Sequence, residues 1–253
     1  MIEDHDAPRV PFVETSIALA INETIAFALS IHGTAVVVGR PGIGKTATLE
    51  HIARRDPRAV YVEYRARYRT TKGLHIAIME ADGWSHYHRT GFELEEACER
   101  CASAMAERGC FLLLDEYQNY DLEAIRSVLR FSDHFRLPIV FVGNEKRLRR
   151  VSADAGTYEQ ISDRIWKTVR LGDPVAEDFA AFAAACNIAD KTTRDALVQL
   201  GLKTSLRHVT QVLQAALKIG GAEAPIELAD LREAEGFLRS GTGRDGVLRL
   251  SPA

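Results

Sequence analysis

Two short stretches carry residue types whose spacing could do phosphoryl chemistry. The first runs Gly39, Arg40, Pro41, Gly42, Ile43, Gly44, Lys45, Thr46 and Ala47, directly after the apolar run Thr34–Val38 and directly before a helix-forming segment. A strand, a glycine-rich turn and a helix start in that order are the context a phosphate-binding loop demands. The glycines let backbone N–H groups converge on phosphate oxygens, and the helix N-terminus adds its positive dipole end at the same point. Lys45 would reach the β- and γ-phosphates, and the Thr46 hydroxyl would hold Mg²⁺. An ordinary glycine-rich turn of another α/β protein shares this pattern, and a second stretch weighs against that.

Cys110 to Leu114 is apolar without alternation and closes on Asp115 and Glu116. Such a run reads as a strand buried on both faces of a parallel sheet, and its C-terminal end is where such sheets bind ligands. Asp115 then accepts Mg²⁺ or a water bound to it, and Glu116 is the general base that polarises an attacking water. Next to the glycine-rich turn, this pair is more than a solvated strand end.

The rest of the chain must position these groups. Strands are expected at 36–38, 59–64, 110–114, 137–142 and 167–170, and helices at 15–30, 45–55, 74–80, 92–107 and 121–132, the last capped by Asp121. Asn144 follows Gly143 at the exit of one strand. If that strand lies between those of the two motifs, Asn144 can reach the attacking water or the γ-phosphate; a turn-forming Asn is the plainer alternative. Gly172, Asp173 and Pro174 make the sharpest break, after which helical patterns recur at 175–186, 193–200, 205–219 and 226–238, with Gly201 and Gly220 as stops. The expected fold class is α/β: a parallel sheet flanked by helices in residues 1–171, then an all-helical domain in 172–253 with a glycine-bearing tail.

Composition sets softer bounds. The chain is 46% apolar and 26% charged, as soluble globular proteins are. It shows no signal pattern and no apolar stretch approaching the ~18 residues of a membrane span, so a cytoplasmic protein with no membrane partner is expected. The net charge of −3 does not announce a nucleic-acid binder, but it says nothing of local patches. Two basic runs, Arg65, Arg67, Arg69 and Lys72, then Lys146, Arg147, Arg149 and Arg150, each follow the end of an expected strand and could contact a DNA backbone. Solvated faces or pairs with acidic residues on a neighbouring subunit are the alternative. Trp84, His86, Tyr87, His88 and Arg89 add an aromatic and basic loop. Four cysteines are too few for a disulfide framework in a chain this long, and a zinc set of Cys98, Cys101, His86 and His88 is disfavoured because both cysteines fall inside a helical pattern.

Gly39 to Thr46, Leu112 to Glu116, Gly143 with Asn144, Arg164 before the last strand, and Ser205, Leu206 and Arg207 opening a helix together resemble an AAA+ ATPase with its helical lid. Within that superfamily, residues 115–118, 137–144, 161–171 and 205–216 resemble the transposition regulators typified by phage Mu B. The resemblance implies ATP and Mg²⁺ as cofactors, Asn144 as sensor 1, Arg207 as sensor 2 against the phosphates, and Arg164 as an arginine finger. A finger supplied to a neighbouring subunit's γ-phosphate also makes physical sense, because a nucleotide at a domain edge leaves that charge uncovered; Arg149 or Arg150 are alternatives. The resemblance further implies a homo-oligomeric ring or helical filament on double-stranded DNA of arbitrary sequence, and a transposase partner. Mu B carries an additional amino-terminal helix-turn-helix domain, whereas about 38 residues precede Gly39 here, which would leave DNA contact to the ATPase core. The expected function is an ATP-dependent DNA-binding regulator of transposition. An ATPase switch that assembles on a protein partner without DNA is the alternative, and a small-molecule nucleotide kinase is disfavoured by Glu116 beside Asp115 and by the placement of Arg164 and Arg207.

Overall fold

Five parallel strands build the sheet, in the order β2-β3-β4-β1-β5: β1 (Thr34–Val38), β2 (Ala59–Val62), β3 (Phe111–Leu114), β4 (Ile139–Gly143) and β5 (Ile165–Arg170). The structure is a computed structural model in which residues 10–85, 91–144, 161–220 and 225–239 are described. Burial follows position in the sheet. The inner strands β1, β3 and β4 are buried at every residue, which is why they read as unbroken apolar runs. The edge strand β2 alternates, and β5 is largely exposed, with Trp166 71% accessible.

The sheet belongs to a compact unit of residues 18–41 and 45–172. Most of α1 (Ser16–Ile31) belongs to this unit, with α2 (Lys45–Arg55), α3 (Thr71–Ala81), α4 (Gly91–Glu107) and α5 (Leu122–Phe135). One apolar cluster joins β1, β2, β3 and β4 to α3, α4 and α5, with Leu74, Ile78, Leu112, Leu114, Leu129 and Phe141 buried in it and Trp84 packed against it. Three local outcomes differ from the sequence expectation. β2 stops at Val62, and a 3₁₀ turn at Ala66–Tyr68 follows. α3 begins at Thr71 because the Thr70 side chain accepts the Gly73 N–H at 3.3 Å, a cap ahead of the apolar periodicity. Asp121 precedes α5, but its carboxylate makes no cap bond; it accepts from Arg69 Nε at 2.8 Å.

A second unit gathers residues 10–17, 42–44 and the described residues from 173 onward. Its helices are α6 (Ala176–Ala185), α7 (Lys191–Lys203), α8 (Leu206–Gly220) and α9 (Leu228–Arg239). Val13 is buried with Phe179, Leu197, Val212, Leu213 and Leu231, so residues 10–17 group with these helices, whereas the sequence reading keeps all of 1–171 in the sheet domain. The buried Asp178 carboxylate accepts Ser16 N–H at 2.6 Å, Ser16 Oγ–H at 2.7 Å and Val175 N–H at 2.9 Å, fixing two helix starts at once. Gly201 is not a stop: α7 runs through it to Lys203, and a Cβ there would meet the Phe179 ring at 2.2 Å. Glycine stands there for packing.

Candidate nucleotide site

Strand register brings the chemistry together. β1 and β4 pair with Val38 opposite Gly143, so Gly39 and Asn144 leave the sheet side by side, with the Gly39 N–H donating to the Gly143 carbonyl at 3.1 Å. On the other flank of β4, Leu114 of β3 lies opposite Phe141, which carries Asp115 and Glu116 to the same edge. All the strands run the same way, so the three exits form one crevice at their C-terminal ends. In the loop, Gly42 (φ 80°) and Gly44 (φ 97°) take a left-handed conformation that side chains resist. Ile43 is buried; Arg40, Pro41 and Ala47 are exposed.

Lys45, at the start of α2, is buried to 4% exposure. Its ammonium donates to the carbonyls of Gly39 at 2.9 Å and Arg40 at 2.8 Å and to Asn144 Oδ1 at 2.9 Å. Thr46 Oγ1 donates to Asp115 Oδ2 at 2.7 Å, and the Tyr61 hydroxyl reaches the same oxygen at 3.4 Å. Burial, and then the Asp115 charge, push the Tyr61 hydroxyl pKa up, so it stays a protonated donor. Asp115 is fully buried and its Oδ1 accepts the Glu116 N–H at 2.8 Å. A hydroxyl and a carboxylate oxygen this close are the hard donors that Mg²⁺ takes alongside water and substrate phosphate, so Thr46 and Asp115 fit that ion.

Glu116 holds a left-handed backbone (φ 48°, ψ 37°), unusual for a residue with a side chain. Three side-chain amides point at its Oε2: Gln118 Nε2, Asn144 Nδ2 at 3.3 Å and Asn119 Nδ2 at 3.4 Å. Gln118 also accepts the Asn144 N–H at 3.1 Å. Asn144 therefore touches the lysine with its oxygen and the glutamate with its nitrogen. Sequence reasoning gave Gln118 no role of its own, and it missed Tyr61 and Asn119. Gly143 held the signal for Gln118, since a Cβ there would fall 2.0 Å from the Gln118 Oε1.

Other expected site residues lie elsewhere. Arg164 precedes β5 and pairs with Asp133 at 3.1 Å; β5 has six residues, so Arg164 sits roughly 20 Å from the crevice edge at ~3.3 Å per residue. In the helical unit, the Arg207 N–H donates to the Gly42 carbonyl at 3.0 Å. Arg65 faces Glu63 at 3.7 Å, Arg67 faces Glu80 at 3.6 Å and Arg69 holds Asp121, so three of the four charges in the first basic run have carboxylate neighbours; Lys72 is exposed. Lys146, Arg147, Arg149 and Arg150 lie outside the described residues, as do His86, Tyr87, His88 and Arg89. Cys98 and Cys101 are buried in α4, where burial raises both thiol pKa values, Cys101 to about 12.

Family comparison agrees with this geometry. Residues 30–151 match the model described as an AAA domain, and residues 163–236 match that of the Mu B transposition protein, C terminal. The chain is an AAA+ P-loop protein that resembles Mu B. Among solved structures, this AAA+ chain is similar to the ORC2 protein of Aeropyrum pernix in ADPNP–ADP complexes, with TM-score 0.63 and 16% identity over 92% of this chain and 70% of that one. It is similar to RuvB of Thermotoga maritima at TM-score 0.55 and 12% identity over 92% and 71%. For Cdc6p of Pyrobaculum aerophilum the TM-score is 0.50 at 18% identity over 93% and 62%. Identities this low speak for the fold alone. No curated protein matches the chain.

Proposed function

We propose that the chain is an ATP-dependent regulator of DNA transposition that binds duplex DNA without sequence preference, assembles on it as a ring or filament, and recruits or stimulates a transposase. The transposition part is carried by the match of residues 163–236 to the Mu B C-terminal model. The ATPase part is supported by the site. Lys45 neutralises the β- and γ-phosphates, Thr46 and Asp115 hold Mg²⁺, which spreads phosphate charge when bound, and Glu116 orients and deprotonates the attacking water under the control of Asn144. Arg164 is too far from its own crevice to act there, and we assign it to a neighbouring subunit's γ-phosphate. Arg207 carries the sensor 2 role, motivated by its backbone bond to Gly42 in the loop itself. Activity then depends on assembly.

Anisotropy of labelled duplex DNA, titrated with ATP analogue, with ADP and without nucleotide, tests the reading. Binding that requires the triphosphate form, is indifferent to sequence and weakens steeply with salt is expected. No binding at low salt with the analogue would reject it. One observation favours the second reading, a switch that assembles on a protein partner: the carboxylates beside Arg65, Arg67 and Arg69 already compete for those cations.

A further inference from the structure

Gln118 is a polar side chain of the crevice that the mechanism above does not use. It belongs to the 3₁₀ turn Tyr117–Asn119 that follows Glu116, and its carboxamide spans from that turn to the exit of β4. Its Oε1 accepts the Asn144 N–H at 3.1 Å, and its Nε2 donates to Glu116 Oε2. We propose that Gln118 is a positioning residue for hydrolysis, which acts through Glu116 by fixing the carboxylate of the base against the main chain of β4. The proposal rests on the ATPase reading above and deepens it.

Chemistry fixes the direction of this bridge. A backbone N–H only donates, so the Gln118 atom that meets the Asn144 N–H is the oxygen, and the remaining NH₂ faces Glu116. Asn144 is oriented in the same way, because the Lys45 ammonium only donates: Oδ1 takes it at 2.9 Å, and Nδ2 is left for Glu116 at 3.3 Å. Turning either carboxamide over would set donor against donor at one end and acceptor against acceptor at the other. Two oriented amides thus converge on the same oxygen of the base.

The surroundings are shaped for the bridge. The Tyr117 ring packs on Phe141 of β4, with centroids 5.7 Å apart, which holds the turn against that strand. Gly143 leaves the room, since a Cβ there would fall 2.0 Å from Gln118 Oε1 and 2.8 Å from the Tyr117 ring. Asn119 separates position from the mere presence of an amide. Its Nδ2 also reaches Glu116 Oε2, at 3.4 Å, but its own N–H is bonded to the Glu116 carbonyl at 2.9 Å, so this contact stays within one turn. The Asn144 carboxamide reaches the base through rotatable bonds. Gln118 binds the Asn144 main chain instead, so its hold survives any rotation of that side chain.

The test follows steady-state and single-turnover hydrolysis by the full chain, with and without duplex DNA, beside binding of an ATP analogue. Gln118→Glu is the informative variant: it keeps the size and an oxygen for the Asn144 N–H but sets an acceptor against the Glu116 carboxylate. Its kcat should fall roughly 10- to 100-fold, the penalty of a base misplaced by about an ångström, while KM and analogue affinity stay within about three-fold. Asn119→Ala should cost less than about three-fold in kcat. Gln118→Ala should lower kcat in the wild type yet leave the residual rate of Glu116→Gln unchanged, because with the base gone nothing remains to position; a merely structural loss would lower both. Wild-type kcat in Gln118→Glu, or a further loss when Gln118→Ala is added to Glu116→Gln, overturns the positioning role and leaves the ATPase reading standing. Analogue affinity that falls in step with kcat in Gln118→Glu overturns it too and assigns the side chain to nucleotide binding. A wild type that hydrolyses no ATP under either condition removes both.

Discussion

Glu116→Gln isolates the proposed base with little disturbance of its surroundings. All three amide donors, from Gln118, Asn119 and Asn144, fall on Oε2. A glutamine whose carbonyl oxygen takes the Oε2 place keeps those bonds, and its NH₂ falls where Oε1 stood. Oε1 is therefore the oxygen assigned to the water's proton, and its conversion to a donor abolishes base function while nothing that touches phosphate is moved. Lys45 is held by the carbonyls of Gly39 and Arg40 and by Asn144, and Thr46 by Asp115, so ATP affinity should change by less than about three-fold, under ~1 kcal/mol. Turnover should fall by ~10²–10⁴, the usual weight of a positioned general base, or about 2.7–5.4 kcal/mol of barrier. Steady-state phosphate release measures the second effect and a fluorescent-nucleotide titration the first. Hydrolysis at the wild-type rate in a preparation free of contaminating ATPase would refute the assignment; a parallel loss of ATP affinity would show that the carboxylate supports binding instead.

Lys45→Ala should weaken ATP binding about 10- to 100-fold, the worth of a charge-assisted bond to phosphate at ~1.5–3 kcal/mol, and an unchanged titration would contradict the loop's role. Mixing Arg164→Ala with Glu116→Gln subunits should restore part of the hydrolysis that each lacks alone, because one supplies the finger and the other the intact pocket; additive inactivity at every ratio would reject a trans role. The buried His75, whose pKa is lowered to about 4 mainly by burial, should make stability pH-dependent. The unfolded chain, with a histidine pKa near ~6.5, binds the proton first, so this contribution, up to ~3 kcal/mol, is complete above that value and is lost as pH falls toward 4. Urea melts of the wild type and of His75→Gln between pH 4 and 7.5 should show a smaller pH dependence in the variant, and parallel curves would contradict this.

Legibility tracked burial. β1, β3 and β4 are covered on both faces, so nothing but apolar residues could fill them, and their ends were readable to within two residues. β5 is an exposed edge strand, IWKTVR, with little apolar pattern to mark its start, and the sequence places only its last four residues, 167–170, in a strand. Lys45, Thr46, Asp115 and Asn144 were legible because each stands directly at a strand exit or helix start. Gln118 and Tyr61 were not, because their parts depend on which strands are neighbours: Tyr61 reaches Asp115 only because β2 pairs with β3, with Val62 opposite Leu114. The carboxylates beside Arg67 and Arg69 were hidden because Glu80 and Asp121 are distant in sequence from their partners.

The position of β4 between β1 and β3 explains why two adjacent carboxylates can be given different work. On a regular strand Asp115 and Glu116 would point to opposite faces, and neither would be steered along the crevice. Here Asp115 stays at the end of β3, bonded to Thr46 from the α2 side, while the left-handed turn at Glu116, at a cost of order 1–3 kcal/mol, redirects the next side chain toward β4. The three amides that receive it offset that strain. Two of them, Gln118 and Asn144, are locked to each other by the Asn144 N–H, and Gly143 leaves the room this requires. Were β3 the direct neighbour of β1, the amide between Lys45 and Glu116 would have no strand to carry it. The inserted strand thus separates the carboxylate proposed for the metal from the one proposed for the water and ties the latter, through a single asparagine, to the lysine assigned to the phosphates.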